Sequence, residues 1–308
     1  MKNTLLEINR LVTSSLADFI ADEEQKYLDI INSTAAKIAQ GDKVKIVLLA
    51  GPSGSGKTTT AHLLCSALEK LGKRSTVVSL DDFYLSAADS PLLPDGRRDT
   101  ESVNALDLPV LEKCLCELIN TGKTCTPVFD FSVSARSEKT NIVDITDGGI
   151  AIVEGLHALN PKVTEHIGKN SILKIYISVS EGICNNEGER LLSSRQVRLI
   201  RRALRDEIFR NSTIKRTLHL WTGVVQAEEK YLYAYKPAAD IIIATLHAYE
   251  VGVYRERFLN MAESVTPDCE NYDYFMRTAS AVKQFISVPE AAIPQNSLIR
   301  EFIGLKKQ

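Results

Sequence analysis

The chain has 308 residues, enough to bury a substantial core as one large domain with additions or as two small ones. Its formal net charge of -2 argues against a basic nucleic-acid footprint. The opening MKNTLLEINR is too polar for a signal peptide, no apolar run approaches membrane-spanning length, and the six cysteines lack a paired metal spacing, so a cytoplasmic protein with reduced thiols and no membrane partner is expected.

Residues 3–40 read as two helical stretches, with Leu5, Ile8, Val12 and Leu16, then Tyr27, Ile30, Ile31, Ala35 and Ile38, as apolar stripes. Gly41 and Asp42 break the pattern, so 1–40 is an N-terminal helical extension. It either covers the main domain or builds a subunit contact in a homo-oligomer. The main domain is expected over 41–263, starting with KIVLLA at 45–50, an apolar run of strand length. Leu63, Leu64, Ala67, Leu68 and Leu71 then recur at helical spacing.

Between that strand and helix stands GPSGSGKT, 51–58, which fits G-x-x-x-x-G-K-[ST] at every position. Gly51, Gly54 and Gly56 permit backbone conformations that a β-carbon forbids, so amide hydrogens from Gly51, Ser53, Gly54, Ser55 and Gly56 onward can wrap a phosphate, while Pro52, which has no amide hydrogen, belongs to the same loop. The helix N-terminus that follows adds unpaired donors and a favourable dipole. Lys57 is placed to reach the β- and γ-phosphates, and the Thr58 hydroxyl to bind Mg²⁺. Thr59 belongs with this nucleotide-binding set while it and Thr60 continue the helix. ATP and Mg²⁺ are the expected donor and cofactor.

STVVSL at 75–80 is the second strand, ending at Asp81 and Asp82. A helix follows from Ala105 to Asn120, and TPVFDF with NIVDIT make a small antiparallel lobe. IAIVEG at 150–155, ILKIYIS at 172–178 and ADIIIAT at 239–245 are strands of the buried type, with a last helix at Tyr249–Met261. Strands alternating with helices predict an α/β fold with a mostly parallel sheet covered on both faces. Residues 264–308 form a helical tail.

Ligands in such sheets sit beyond the carboxyl ends of the strands, where Asp81 and Glu154 fall. One carboxylate there can hold Mg²⁺ and another accept a proton from an attacking hydroxyl; Asp81 is a candidate for both tasks, Glu154 for the metal. Asp82 should point away from its neighbour. The arginine-rich helix 190–210 carries Arg198, Arg201, Arg202 and Arg205 at spacings of three and four, then Arg210. Such forks on a lid at about 188–222 would compensate charge spreading over the transferred phosphate. His157 either orients Glu154, touches substrate or packs.

GPSGSGKTTTAHLL, SLDDFY, PVFDF, IVEGLHALNP and RLIRRALRDEIFRN, in this order over roughly 45–262, resemble the uridine kinase and phosphoribulokinase group of P-loop kinases. EGLHALNP and NSLIREFIG are most similar to bacterial uridine-kinase-like proteins. The resemblance implies a P-loop NTPase fold of the nucleoside-kinase kind, with Asp81 as the hydroxyl-activating base and Glu154 near magnesium. It implies that Lys57, Arg202 and Arg205 are catalytic, that Arg210 lies near the lid's end, and that Asp99 serves the ribose hydroxyls. PVFDFSVSAR departs from the family's PVYDFVSHSR: Phe129 replaces a tyrosine and Ser134 falls where a histidine reads the base. Arg136 stays available for structure or a substrate hydroxyl. Sites built on hydrogen bonds discriminate strongly, so these changes bear on the acceptor. The lid departs as well, since RNST replaces an arginine-glycine-arginine pattern.

The leading function is therefore transfer of the ATP γ-phosphate to a primary hydroxyl of a small molecule, first the 5′-hydroxyl of uridine or cytidine. A sugar, a sugar phosphate or pantothenate is the alternative acceptor. A regulatory P-loop NTPase is the alternative class, although the guanine-specifying N-K-x-D is missing from the sequence.

Overall fold

The computed structural model describes residues 3–304, apart from residues 42, 87, 94, 95, 97, 131, 132, 134, 166, 169 and 170. Helices α1 (Leu5–Ser14) and α2 (Leu16–Gln40) open the chain; the Thr4 hydroxyl caps the first by accepting from the Glu7 amide. Strand β1 (Ile46–Ala50), helix α3 (Lys57–Lys70) and strand β2 (Ser75–Ser79) follow. The second strand is shorter than STVVSL suggests. Leu80 already belongs to a 3-10 turn, Leu80–Phe83, because the Ser79 hydroxyl accepts the Asp81 amide at 3.3 Å and bends the chain.

Helix α4 (Leu108–Thr121) starts three residues later than its apolar spacing predicts, where Asp107 caps the Val110 amide at 3.2 Å. Strands β3 (Lys123–Asp130) and β4 (Ala135–Asp144) pair antiparallel as the expected lobe. Strand β5 (Ile150–Glu154), the short helix α5 (Pro161–Thr164) and strand β6 (Ile172–Ser178) return the chain to the core. Residues 190–192, expected to be helical, are a strand instead: β8 (Arg190–Leu192) pairs with β7 (Ile183–Cys184). Helix α6 (Ser194–Arg210) begins only at a capping box, in which Ser193 and Gln196 satisfy each other's backbone. Then come α7 (Ile214–Tyr231), β9 (Ile241–Ala244), α8 (Glu250–Ala262), α9 (Tyr272–Val282) and α10 (Arg300–Ile303).

The central sheet runs β2-β5-β1-β6-β9 with every pairing parallel. Each residue of β1 and β5 is buried, as strands covered on both faces must be. Alternate side chains of β1 serve different cores: Val47 and Leu49 pack with the terminal helices, Ile46 and Leu48 with α4 and the lobe. The N-terminal helices and the tail thus pack on one sheet face. Among the described residues no helix is long and apolar enough to cross a membrane.

Helix α6 is anchored rather than free-standing. Val197, Leu199, Ile200, Ala203 and Leu204 are buried, and Trp221 of the next helix packs against Arg198. Asn211 ends α6 in the left-handed conformation at φ 47°, which glycine adopts without strain and asparagine tolerates. An asparagine can therefore stand where the resemblance pattern has glycine.

Candidate active site

The loop 51–58 leaves the carboxyl end of β1, the middle strand of the sheet, and runs into α3. Gly54 has φ +72°, and a β-carbon there would lie 2.9 Å from the Arg198 carbonyl. Lys57 folds back over the loop, its Nζ donating to the Pro52 carbonyl at 3.3 Å. The Ser53 amide donates to Glu228 Oε1 at 2.9 Å, and the Ser53 hydroxyl accepts from Arg202 Nη1 at 2.8 Å. Ser55 is buried.

Beside the loop, Glu154 Oε1 accepts from the hydroxyls of Thr58 and Ser79, both at 3.3 Å. Burial pushes the Glu154 carboxyl up to about 7, against the pull of the Lys57 ammonium. Two hydroxyls are modest compensation for a buried carboxylate, whereas a hard divalent cation would restore its charge. An all-oxygen set of Thr58 hydroxyl and carboxylate suits Mg²⁺, so the residues present fit that ion. Asp81, raised by burial and lowered by Lys57 and Arg210, sits on the 3-10 turn after β2.

A cavity of about 370 Å³ opens beside Lys57 and Asp81. Lys57, Asp81, Arg202, Arg205 and Arg210 line it together with Tyr84, Glu101, Phe129 and Glu228. The Tyr84 and Phe129 rings meet edge to face at 6.2 Å. Arg202, Arg205 and Arg210 converge because Asp206, itself 3 % exposed, holds all three, at 3.2, 3.1 and 3.5 Å. Arg198 is placed otherwise. It is buried against Glu228 at 2.6 Å and faces that carboxylate rather than the cavity. Arg201 likewise pairs with Glu250 at 2.7 Å in full burial.

The acceptor candidates divide. Phe129 reaches the cavity wall, while Asp82 turns away and accepts the Phe129 amide at 3.1 Å. Asp99 accepts from the Tyr231 hydroxyl at 3.1 Å and Arg136 pairs with Asp107 at 3.0 Å; neither lines the cavity. His157 is buried edge-on to Tyr231, and burial holds it down to about 4, a neutral ring. Ser134 lies outside the described residues. Sequence spacing did not single out Glu101, Glu228 or Asp206. Glu228 sits 30 residues from its partner Arg198, beyond any local pattern, but Asp206 at one and four residues from its arginines was within reach of helix spacing.

The Phosphoribulokinase / Uridine kinase family matches residues 46–252. A uridine kinase from Ureaplasma parvum serovar 3 is 29% identical over 58% of this chain and 77% of its own length. One from Lactobacillus helveticus is 28% identical over 66% of this chain and 87% of its own. A solved structure of a possible uridine kinase from Bacillus stearothermophilus superposes with a TM-score of 0.46 at 18% identity, covering 71% of this chain and 98% of that one.

Proposed function

This chain belongs to the phosphoribulokinase and uridine kinase family of ATP-dependent P-loop phosphotransferases, and we propose that its acceptor is the 5′-hydroxyl of a pyrimidine nucleoside, uridine or cytidine. The observation that carries this reading is the single cavity onto which Lys57, Asp81 and three arginines open beside the Tyr84–Phe129 pair. Flat aromatic rings suit a base, and they line the same cavity as Asp81. Similarity to uridine kinases supports the same acceptor.

On this reading Asp81 accepts the proton as the acceptor oxygen bonds to the γ-phosphorus and the bond to the β-phosphate oxygen breaks, releasing ADP. Its burial raises its basicity, which favours that task. Lys57, Arg202, Arg205 and Arg210 take up the charge that gathers on the transferred oxygens. Thr58 and Glu154 would hold Mg²⁺, which neutralises phosphate charge when bound. Phe129 stacks or packs on the acceptor but donates no hydroxyl hydrogen bond. The acceptor pocket, a small molecule rather than nucleic acid, and any homo-oligomer through the terminal helices belong to the proposal.

Glu101 in the same cavity favours a second reading, a polyol acceptor without a base, because a carboxylate accepts from vicinal hydroxyls. The test is ADP release from ATP and Mg²⁺ with uridine, cytidine, other nucleosides, ribose and pantothenate offered singly, and Asp81→Asn as control. Stimulation by uridine or cytidine that vanishes in the variant supports the proposal. Stimulation by another compound alone moves the acceptor, and turnover indifferent to every acceptor and to the variant overturns the small-molecule kinase.

A further inference from the structure

The family match ends at residue 252, yet the chain beyond it comes back to the loop. Leu298 is fully buried, and a β-carbon on Gly56 would lie 2.6 Å from its Cδ1, so this leucine rests directly on the loop's third glycine. One turn later, Glu301 Oε2 accepts from the Thr59 hydroxyl at 2.6 Å and from the Thr59 amide at 3.4 Å. Phe302 lies 4.9 Å from the Arg201 guanidinium, which also donates to the Gly54 carbonyl at 3.3 Å. Arg300 stiffens the segment by donating to the carbonyls of Glu290, Ile293, Pro294 and Gly304.

The Thr59 amide is the third of α3 and therefore among the donors a helix leaves unpaired at its N-terminus. Those donors are what the loop offers to phosphate. A carboxylate and a phosphate oxygen ask for the same hydrogens, and both cannot have them. Nor do two anions share one site without repulsion. Leu298, Ile299 and Phe302 are fully buried and fix the backbone of the segment, whereas Glu301 is only half-buried, so its side chain is the part that can turn.

We propose that Glu301 is an intramolecular competitor for the nucleotide's phosphates, so that the C-terminal segment sets the affinity of the loop for ATP and ADP. The side chain leaves Thr59 when a phosphate seats there. Apparent affinity is then the intrinsic affinity reduced by the fraction of molecules with Thr59 free. This rests on nucleotide binding at the loop and is independent of the acceptor.

Titration calorimetry of the full chain with Mg-ADP, Mg-ATP and adenosine, without any acceptor, tests it. Glu301→Ala should tighten binding of both nucleotides by about three- to tenfold and Glu301→Gln by less, because a neutral amide oxygen is a weaker competitor. Adenosine, which has no phosphate to seat at Thr59, should bind no better to either variant. Should Glu301→Ala fail to fold, the glutamine variant decides alone. Unchanged or weaker nucleotide binding, or an equal gain for adenosine, overturns the proposal. A failed acceptor panel in the kinase assay would leave these binding constants as they are, so the two readings fail separately.

Discussion

Arg198 and Arg201 on helix α6 each face a buried carboxylate of their own, Glu228 at 2.6 Å and Glu250 at 2.7 Å, whereas Arg202, Arg205 and Arg210 share the one carboxylate of Asp206. The first pair is neutralised and closed off. The second group is held together by less negative charge than it carries, at the edge of the cavity. Neighbouring positions on one helix thus yield two kinds of arginine, and what separates them is the number of carboxylates brought from elsewhere in the chain. A fork that must meet a phosphate needs positive charge left over; one that must hold two helices together does not.

The sharpest way to break this comparison is Arg201→Met. It leaves Glu250 buried without its cation and should cost about 3–5 kcal/mol of stability, read as a lowered denaturation midpoint. Phosphotransfer per folded molecule should change far less. Arg205→Ala should do the reverse, lowering kcat by about 10²- to 10³-fold with little change in melting temperature. If both variants lose stability and activity in the same proportion, the division of the helix into two kinds of arginine fails.

A carboxylate with no arginine of its own sharpens the point. The carboxyl of Glu154 is pushed up to about 7 from an unfolded value near 4.5, so the folded state holds its proton more tightly. Its contribution to stability is whole below pH 4.5 and is lost as pH rises through about 7. The loss is at most about 3 kcal/mol in the nucleotide-free protein, and Glu154→Gln should flatten that slope in urea titrations from pH 4.5 to pH 8. A slope that survives the substitution assigns it to other groups. The smallest effect belongs to the end of α6. Asn211→Ala should destabilise by about 1 kcal/mol because alanine resists the left-handed conformation, while Asn211→Gly should stay within about 0.5 kcal/mol of the natural protein.

The sheet and the loop were legible because their signals are local. An apolar run of five, a glycine-rich loop and a helical stripe need no partner to be recognised, and β1, the loop and α3 fall where KIVLLAGPSGSGKT puts them. Boundaries moved where a side chain bound its own backbone, as at Ser79, Asp107 and Ser193, a competition that apolar periodicity does not register. Within the cavity, Lys57 and Asp81 could be placed from motif and strand end, and Phe129 from the family resemblance. Arg198 could not, since its partner Glu228 is fixed by the packing of α7 on α6. Glu301 is further still, 242 residues from the threonine it touches.

The lobe is fastened to the turn that carries Asp81 in two places. Phe129 donates its amide to Asp82 at 3.1 Å, and Arg136 grips Asp107 at 3.0 Å, whose own amide donates to the Phe83 carbonyl at 2.8 Å. On the proposed function, the wall that would feel the acceptor and the base that would act on it are therefore one lever, with Asp82 as its short arm. A compound that fits the wall badly tilts the base as well, so poor acceptors should differ from good ones in turnover more than in how tightly they are held. Discrimination in such a device is a matter of aim.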